Sequence, residues 1–240
     1  FDLVKNLPSQ IEKFFELQHV DFDETKQVIQ AENLPKELRV PGGLALIPFK
    51  LKSKNTPLVT FQNNRLMVLK TGRKQWTAVV GLSLKLEPGE HHITVHHKPN
   101  TKNEHTEDIN FQVDNKEYEA QYITLKNKKQ VSPSQTSLDR ISKESKAMKA
   151  IFKSWSAQPP NNLSMPYPVE GPLSSQFGLK RFFNNQARNP HSGIDIAANK
   201  GSYITTPLSG IVATTGHFYF NGKTVLIDHG QGLITMYCHL

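Results

Sequence analysis

The chain has 240 residues, enough for two domains, and 29 basic against 21 acidic residues give it a formal net charge of +8. That charge attracts polyanions in general and does not by itself indicate nucleic acid. No apolar run approaches the ~18 residues that span a bilayer, and the single cysteine, Cys238, excludes an internal disulfide. Because the sequence opens at Phe1 rather than Met, we expect a processed or trimmed start.

The first predicted element is a short helix in an N-terminal helical segment, residues 1–38. Ser9-Gln10-Ile11-Glu12 has the form of a capping box, which marks a helix start. The residues that follow give this helix an apolar face: Ile11, Phe14, Phe15 and Leu17. We expect this segment to be accessory to the rest of the chain.

Strand patterns dominate residues 39–130. Apolar residues alternate at Ile93 and Val95 and again at Phe111 and Val113, and Pro88-Gly89 supplies a turn between strands. Several short strands bounded by turns predict a β-sandwich-like accessory module. One strand carries the tract His91-His92-Ile93-Thr94-Val95-His96-His97. Neighbours in a strand face opposite sides, and His92 and His96 would lie ~13 Å apart, so no pair within the strand can chelate one ion.

A connecting helix and a linker follow the β-rich module. The helix is predicted within residues 131–157 because apolar residues recur there at three- and four-residue steps: Leu138, Ile141, Met148, Ile151, Phe152 and Trp155. Residues 158–171 contain four prolines and little apolar periodicity, which is typical of a semi-stiff linker. We therefore place the main domain boundary in residues 158–171.

Three residues near the end of the chain could serve a metal-assisted reaction. His191 and Asp195 offer an imidazole nitrogen and a carboxylate oxygen, both zinc ligands, and His239 follows an apolar strand. On a straight strand His191 and Asp195 would lie ~13 Å apart, so Ser192-Gly193 must bend the chain, with the glycine supplying the φ that the turn requires. Spacing alone leaves open a surface histidine before a turn and an aspartate at a strand end.

Residues 166–240 resemble the lysostaphin-type, or LytM-like, zinc metallopeptidases that cut peptidoglycan cross-links. The similar segments occur in the order of that family: Pro168 to Gly178, His191-Ser192-Gly193-Ile194-Asp195-Ile196, Pro207 to Val212, Val225 to Leu233, and Tyr237-Cys238-His239-Leu240. The resemblance implies that His191 and Asp195 are zinc ligands and that His239 is a catalytic residue. It implies an incomplete antiparallel β LytM-like peptidase domain at residues 166–240. Together with the strand and helix patterns above, this predicts a mainly β chain in which a β-sandwich-like module with flanking helices precedes that domain.

The family also carries a His-x-His element, whose second histidine is the third zinc ligand and whose first is a second catalytic residue. No residue up to Leu240 matches it, whereas a catalytic zinc usually has three protein ligands. We therefore expect a C-terminally truncated fragment, inactive as it stands, rather than a degenerate enzyme. Cys238 could instead be read as a nucleophile, but a small residue packed in a strand is commoner, and alternation points it away from the face that His239 uses.

The function that the resemblance implies is a zinc-dependent endopeptidase acting on peptidoglycan stem peptides, in the periplasm or secreted to the cell envelope, with no nucleic-acid partner. The N-terminal module would be an intramolecular cover of the site or a targeting device. One alternative is a non-catalytic LytM-like regulator that binds a partner hydrolase, and another is a basic β-sandwich adhesin. The intact His191, Asp195 and His239 favour the enzyme.

Overall fold

The computed structural model describes residues 34–124, 133–160 and 162–240. The helix predicted at residues 11–17 lies outside these residues. Within them the chain is mainly β, as the sequence predicted. No helix in the described ranges is long and apolar enough to cross a membrane.

The N-terminal part is a sandwich of two antiparallel sheets. One sheet has the order β1-β5-β4, with β1 at Leu44–Lys50, β4 at Met67–Gly72 and β5 at Gln75–Gly81. The other has the order β3-β2-β6-β7, with β2 at Leu58–Phe61, β3 at Asn64–Arg65, β6 at Gly89–His97 and β7 at His105–Val113. This confirms the predicted sandwich-like module.

Side chains that alternate along these strands fill the space between the sheets. Ile47 of β1 and Val80 of β5 are buried on one side, and Ile93 and Val95 of β6 meet them from the other. Trp76 is also buried, and its ring N–H donates to the carbonyl of Leu51 at 3.0 Å, so its one polar group is satisfied. The period-two pattern thus places one apolar face of each strand in the core.

Helix α1 spans Gln135–Phe152 and connects the two β regions. Ser134 caps it, because its side-chain oxygen accepts from the backbone N–H of Ser137. No residue of α1 is buried, so the helix lies on the surface. It is attached to the C-terminal region through polar contacts made by Arg140 and Glu144.

Strands of the C-terminal region belong to three small sheets. One is β13-β14-β15, antiparallel, with β13 at Ile211–Phe218, β14 at Gly222–Asp228 and β15 at Ile234–Tyr237. A second pairs β9 at Leu173–Ser175 with β12 at Asp195–Ile196. The third has the order β11-β10-β8, with β8 at Ala120–Ile123, β10 at Lys180–Phe183 and β11 at Gln186–Ala187.

The sheet β11-β10-β8 crosses the boundary between the two regions. Strand β8 precedes α1 in the chain, whereas β10 and β11 follow the linker, and β8 pairs with β10 in parallel. A second contact is a small apolar cluster in which Met67 and Leu69 of β4 pack with Leu163 of the linker and Leu233. The accessory module and the C-terminal region are therefore in direct contact along a shared sheet and an apolar cluster.

Candidate metal centre

The chain bends between His191 and Asp195 and brings their side chains together. His191 Nε2 lies 3.3 Å from Asp195 Oδ1, although the two residues are four positions apart and Asp195 belongs to β12. The bend at Ser192-Gly193 was predicted, and the φ that Gly193 adopts in it is not positive. A Cβ at this position would meet only His191 Nε2, at 4.0 Å, so the bend does not require the special freedom of glycine there.

A backbone carbonyl fixes which nitrogen of His191 is free. Nδ1 lies 2.8 Å from the carbonyl oxygen of Gln176. Since a carbonyl only accepts, Nδ1 carries the hydrogen and donates it, which leaves Nε2 with its lone pair. This is the usual arrangement at metal sites, where a hydrogen bond from the outer nitrogen sets the tautomer and orientation of the ligand. His191 Nε2 is therefore prepared to bind a cation.

The distance between the two candidate donors fits zinc. Two atoms bound to one zinc at about 2.1 Å each and at a tetrahedral angle lie about 3.4 Å apart. His191 Nε2 and Asp195 Oδ1 are 3.3 Å apart. Imidazole nitrogen and carboxylate oxygen are also the donor types that zinc takes in catalytic sites. The residues present therefore fit one edge of a zinc coordination shell.

An arginine holds the other oxygen of the carboxylate. Nη2 of Arg181, on β10, donates to Asp195 Oδ2 at 3.1 Å and to Ser175 Oγ at 3.0 Å. Ser175 Oγ in turn lies 3.2 Å from His191 Nδ1. Four side chains thus form a closed ring of contacts that leaves Asp195 Oδ1 facing His191. Sequence reasoning missed Arg181 and Ser175, because Ser175 reaches Asp195 through the pairing of β9 with β12 and Arg181 reaches it from a strand of another sheet.

His239 is held by the tip of the β13–β14 hairpin. Its backbone N–H donates to the carbonyl of Asn221 at 2.9 Å, and a Cβ on Gly222 would lie 3.2 Å from its ring Nδ1. The alternation predicted for Cys238 and His239 does not hold, because β15 ends at Tyr237 and His239 adopts a φ of 61°. Cys238 Sγ accepts from the side-chain amide of Asn221 at 3.4 Å, which gives the thiol a structural contact.

His191, Asp195 and His239 line one open groove. Its rim carries exposed aromatic side chains, including Tyr203 at 86% and Phe220 at 54% exposure. None of residues 34–124 lines this groove. The structure therefore brings all three predicted site residues to one surface, and the described part of the accessory module lies elsewhere.

A complete metal site is not formed by the residues that the structure describes. Among residues 34–124, 133–160 and 162–240, no three His, Cys, Asp or Glu side chains come together around a point that could hold an ion. His229, near the groove strands, is buried, with Nδ1 2.9 Å from the carbonyl of Ser209 and Nε2 2.8 Å from Thr235 Oγ1. Both of its nitrogens are thus engaged in the fold, and it offers none to a metal.

The histidine tract on β6 forms contacts with acidic residues of neighbouring segments. His97 Nε2 lies 3.0 Å from Glu107 Oε2, and His97 stacks on His105 with ring centroids 4.5 Å apart. His96 faces Glu104 at 3.7 Å and Thr60 Oγ1 at 3.2 Å. His96 Nδ1, the atom that faces Glu104, has no hydrogen-bond partner among the described residues, and the tract lies apart from the groove.

Comparisons with known proteins agree along both regions of the chain. The model described as "Peptidase family M23 N-terminal domain" matches residues 38–116, and that of "Peptidase family M23" matches residues 189–240. A crystal structure described as a peptidase M23 from Pseudomonas aeruginosa is similar with a TM-score of 0.66 and 33% identity, over 87% of this chain and 76% of that chain. The peptidoglycan DD-endopeptidase ShyA of Vibrio cholerae is 35% identical over 77 residues, which are 31% of this chain but only 18% of ShyA.

Proposed function

The chain belongs to peptidase family M23, and from this premise we propose that its C-terminal domain acts as a zinc-dependent endopeptidase on the peptide cross-links of bacterial peptidoglycan. The similarity to ShyA, a peptidoglycan DD-endopeptidase, supports this class of substrate. Such a substrate places the protein in the periplasm or elsewhere in the cell envelope. Zinc, when bound, supplies a Lewis acid that activates water and polarises a carbonyl.

One observation carries the proposal. His191 Nε2 and Asp195 Oδ1 lie 3.3 Å apart, with the histidine tautomer fixed by the Gln176 carbonyl and the carboxylate fixed by Arg181. Two lone-pair donors held at this distance, in an open groove, suit a cation better than they suit each other. We assign His191 and Asp195 as zinc ligands on this basis.

His239 is assigned a catalytic role. It lines the same groove as the two ligands, and it lies at the exposed end of β15 on the hairpin tip. An imidazole there can accept a proton from the attacking water or hydrogen-bond the developing oxyanion. General acid–base help of this kind contributes about 10²–10⁴ in rate. The aromatic rim at Tyr203 and Phe220 would contact the peptide that enters the groove.

The third protein ligand is assigned to the His-x-His element of the family, which the 240-residue sequence does not contain. With two protein ligands the chain is one short of the usual three, so we expect it to bind zinc weakly and not to hydrolyse cross-links by itself. Tests of activity therefore use what we call the native protein, which includes any sequence that its gene places past Leu240. Nanomolar zinc binding by the 240-residue chain would show that the third ligand is wrongly assigned.

The test of the assignment is metal content and hydrolysis measured together. In the native protein, His191→Ala and Asp195→Ala should each lose zinc and stop the release of soluble fragments from purified peptidoglycan. His92→Ala, an exposed histidine on β6, is the matched control and should retain both. Undiminished zinc in His191→Ala would overturn the ligand assignment. A zinc-free wild-type protein that binds a partner hydrolase would favour the regulator instead.

A further inference from the structure

The strand that carries Arg181 receives most of its pairing from the N-terminal side of the chain. Strand β10 lies between β8 and β11, and β11 contains only Gln186–Ala187. The pairing with β8 covers all four residues of β10 and is extended at both ends. The Lys180 N–H donates to the Glu119 carbonyl at 2.8 Å, and the Asn184 N–H donates to the Ile123 carbonyl at 3.0 Å. The position of β10 therefore depends on β8.

A second contact reaches the backbone of His191. Tyr118, just before β8, is fixed by a hydrogen bond from its hydroxyl to the Pro41 carbonyl at 2.8 Å. Its ring packs so closely on Gly178 that a Cβ there would lie 2.1 Å away, and Gly178 has a φ of 90°. The Gly178 N–H donates to the carbonyl of His191 at 2.7 Å. The accessory module thus supports the loop that carries one candidate ligand as well as the strand beside the other.

Arg181 itself is placed by its strand rather than by a full set of side-chain partners. Its side chain is 22% exposed, and its Nε is buried without a hydrogen-bond partner. Only Nη2 makes the contacts to Asp195 and Ser175. Burying an unpaired guanidinium donor costs free energy. We infer that the backbone pairing of β10 offsets this cost and keeps Arg181 in place.

We propose that the N-terminal β-module is a structural part of the metal site, because β8 holds β10 in the position that keeps Arg181 on Asp195. This inference rests on the proposed zinc ligands His191 and Asp195. Arg181 is a positioning residue: by holding Oδ2 it directs Oδ1 of Asp195 toward His191 Nε2. The positive charge of Arg181 by itself would oppose zinc binding. Removing Arg181 should therefore raise zinc affinity if its charge dominates and lower it if its orientation of Asp195 dominates.

The first test removes Arg181 in the native protein. Partners of metal ligands typically contribute 10–100-fold to metal affinity, and we expect a loss in that range for Arg181→Ala, measured by competition with a zinc chelator. Arg181→Lys keeps the charge and can reach one partner, so it should recover part of the affinity. Lys180→Ala, its exposed neighbour on the same strand, is the control and should bind zinc as the wild type does. Equal or tighter binding by Arg181→Ala would overturn the proposal.

The second test interrupts the pairing of β8 with β10. Because the carbonyls of Glu119 and Ile123 accept from the β10 region, the N–H of Gln121, midway between them, faces the same strand. Gln121→Pro removes that N–H and should lower zinc affinity as Arg181→Ala does. Ala120→Pro, whose N–H faces away from β10, should bind zinc normally.

The outcomes separate this inference from the proposed function. If the wild-type native protein binds no zinc, the proposed function fails. If it binds zinc and Gln121→Pro is folded by circular dichroism with unchanged affinity, the role of β8 is disproved. If Gln121→Pro fails to fold, the zinc affinities of Arg181→Ala and Lys180→Ala still show whether β10 acts on the site through Arg181.

Discussion

The side-chain oxygen of Gln231 accepts a hydrogen bond from the backbone N–H of Val68 at 2.8 Å, and this bond links the turn after β14 to strand β4 of the sandwich. Gln231 is buried, with 2% of its surface exposed, and its own N–H donates to the Ser156 carbonyl at 2.9 Å. One side chain thus connects the sandwich, the segment after α1 and the C-terminal region. The accessory module is joined to the rest by specific polar contacts as well as by apolar packing.

We predict that Gln231→Ala destabilises the protein by about 1–3 kcal/mol, because it leaves the buried Val68 N–H without an acceptor. Urea unfolding followed by tryptophan fluorescence measures this change. Gln62→Ala is a matched control, because Gln62 also has a φ of 48° but its side chain is exposed. Equal stability of the two variants would show that the Val68 bond contributes nothing net.

A second prediction concerns Glu144 of α1, which is hydrogen-bonded to the β13–β14 hairpin. Its Oε2 accepts from the Tyr219 N–H at 2.7 Å and its Oε1 from Arg140 Nε at 2.7 Å. Burial raises the pKa of Glu144, but the Tyr219 N–H and the Arg140 guanidinium lower it more, so the pKa lies below its usual 4.5. The folded protein therefore favours the charged carboxylate.

A carboxyl whose pKa is lowered by folding stabilises the protein above its unfolded pKa and loses this contribution as the pH falls through the folded value. The stability difference between wild type and Glu144→Gln should therefore be largest near neutral pH and shrink below about pH 4.5. Thermal unfolding over a pH series measures it, with Asp139→Asn on the same helix as the control. A difference independent of pH would contradict this account.

The sandwich could be predicted from the sequence because its strands follow a local rule. Alternation at Ile93 and Val95 and at Phe111 and Val113 reflects a strand with one buried face, and the structure buries these residues. Helix α1 could also be predicted, because apolar residues recur along it at three- and four-residue steps. The shared sheet β11-β10-β8 was not, because parallel pairing of β8 with β10 joins segments about sixty residues apart and leaves no local pattern.

The residues of the candidate site also divide into those that the sequence predicts and those that it does not. His191, Asp195 and His239 were predicted as site residues from residue type and motif order, and in the structure all three line one groove. Arg181 was missed because nothing in its own neighbourhood indicates a carboxylate partner, and it contacts Asp195 from a strand of a different sheet. Gly193 lies in the bend that the sequence predicted, and its φ there is not positive.

The third prediction separates His239 from the metal ligands. In the native protein, His239→Ala should retain zinc and lose at least ~10²-fold in turnover, because the imidazole acts on the reacting groups without holding the ion. Cys238→Ala is the neighbouring control and should stay active, since its thiol accepts a hydrogen bond from the Asn221 amide in a structural contact. Loss of zinc from His239→Ala would make it a ligand, and strong inhibition by thiol reagents would contradict the zinc assignment.

The last prediction concerns deletion of residues 1–157. The N-terminal module could cover the groove, target the enzyme or support the metal site, and each role predicts a different result. A module that covers the groove would, once removed, raise hydrolysis of soluble cross-linked fragments. A targeting module would be needed on intact wall but not on small substrates. Neither role involves the folding of the metal site.

We expect a third result, in which both activities and zinc affinity fall together. None of residues 34–124 lines the groove, whereas β8 pairs with the strand of Arg181 and Tyr118 packs on Gly178. Deletion would remove these supports and both backbone partners of Gln231, which are the Val68 N–H and the Ser156 carbonyl. Rates on soluble fragments and on intact wall, with zinc content, measure the outcome. A shorter deletion of residues 1–33 leaves the described sandwich intact. Faster hydrolysis by that variant would show that residues 1–33 cover the groove.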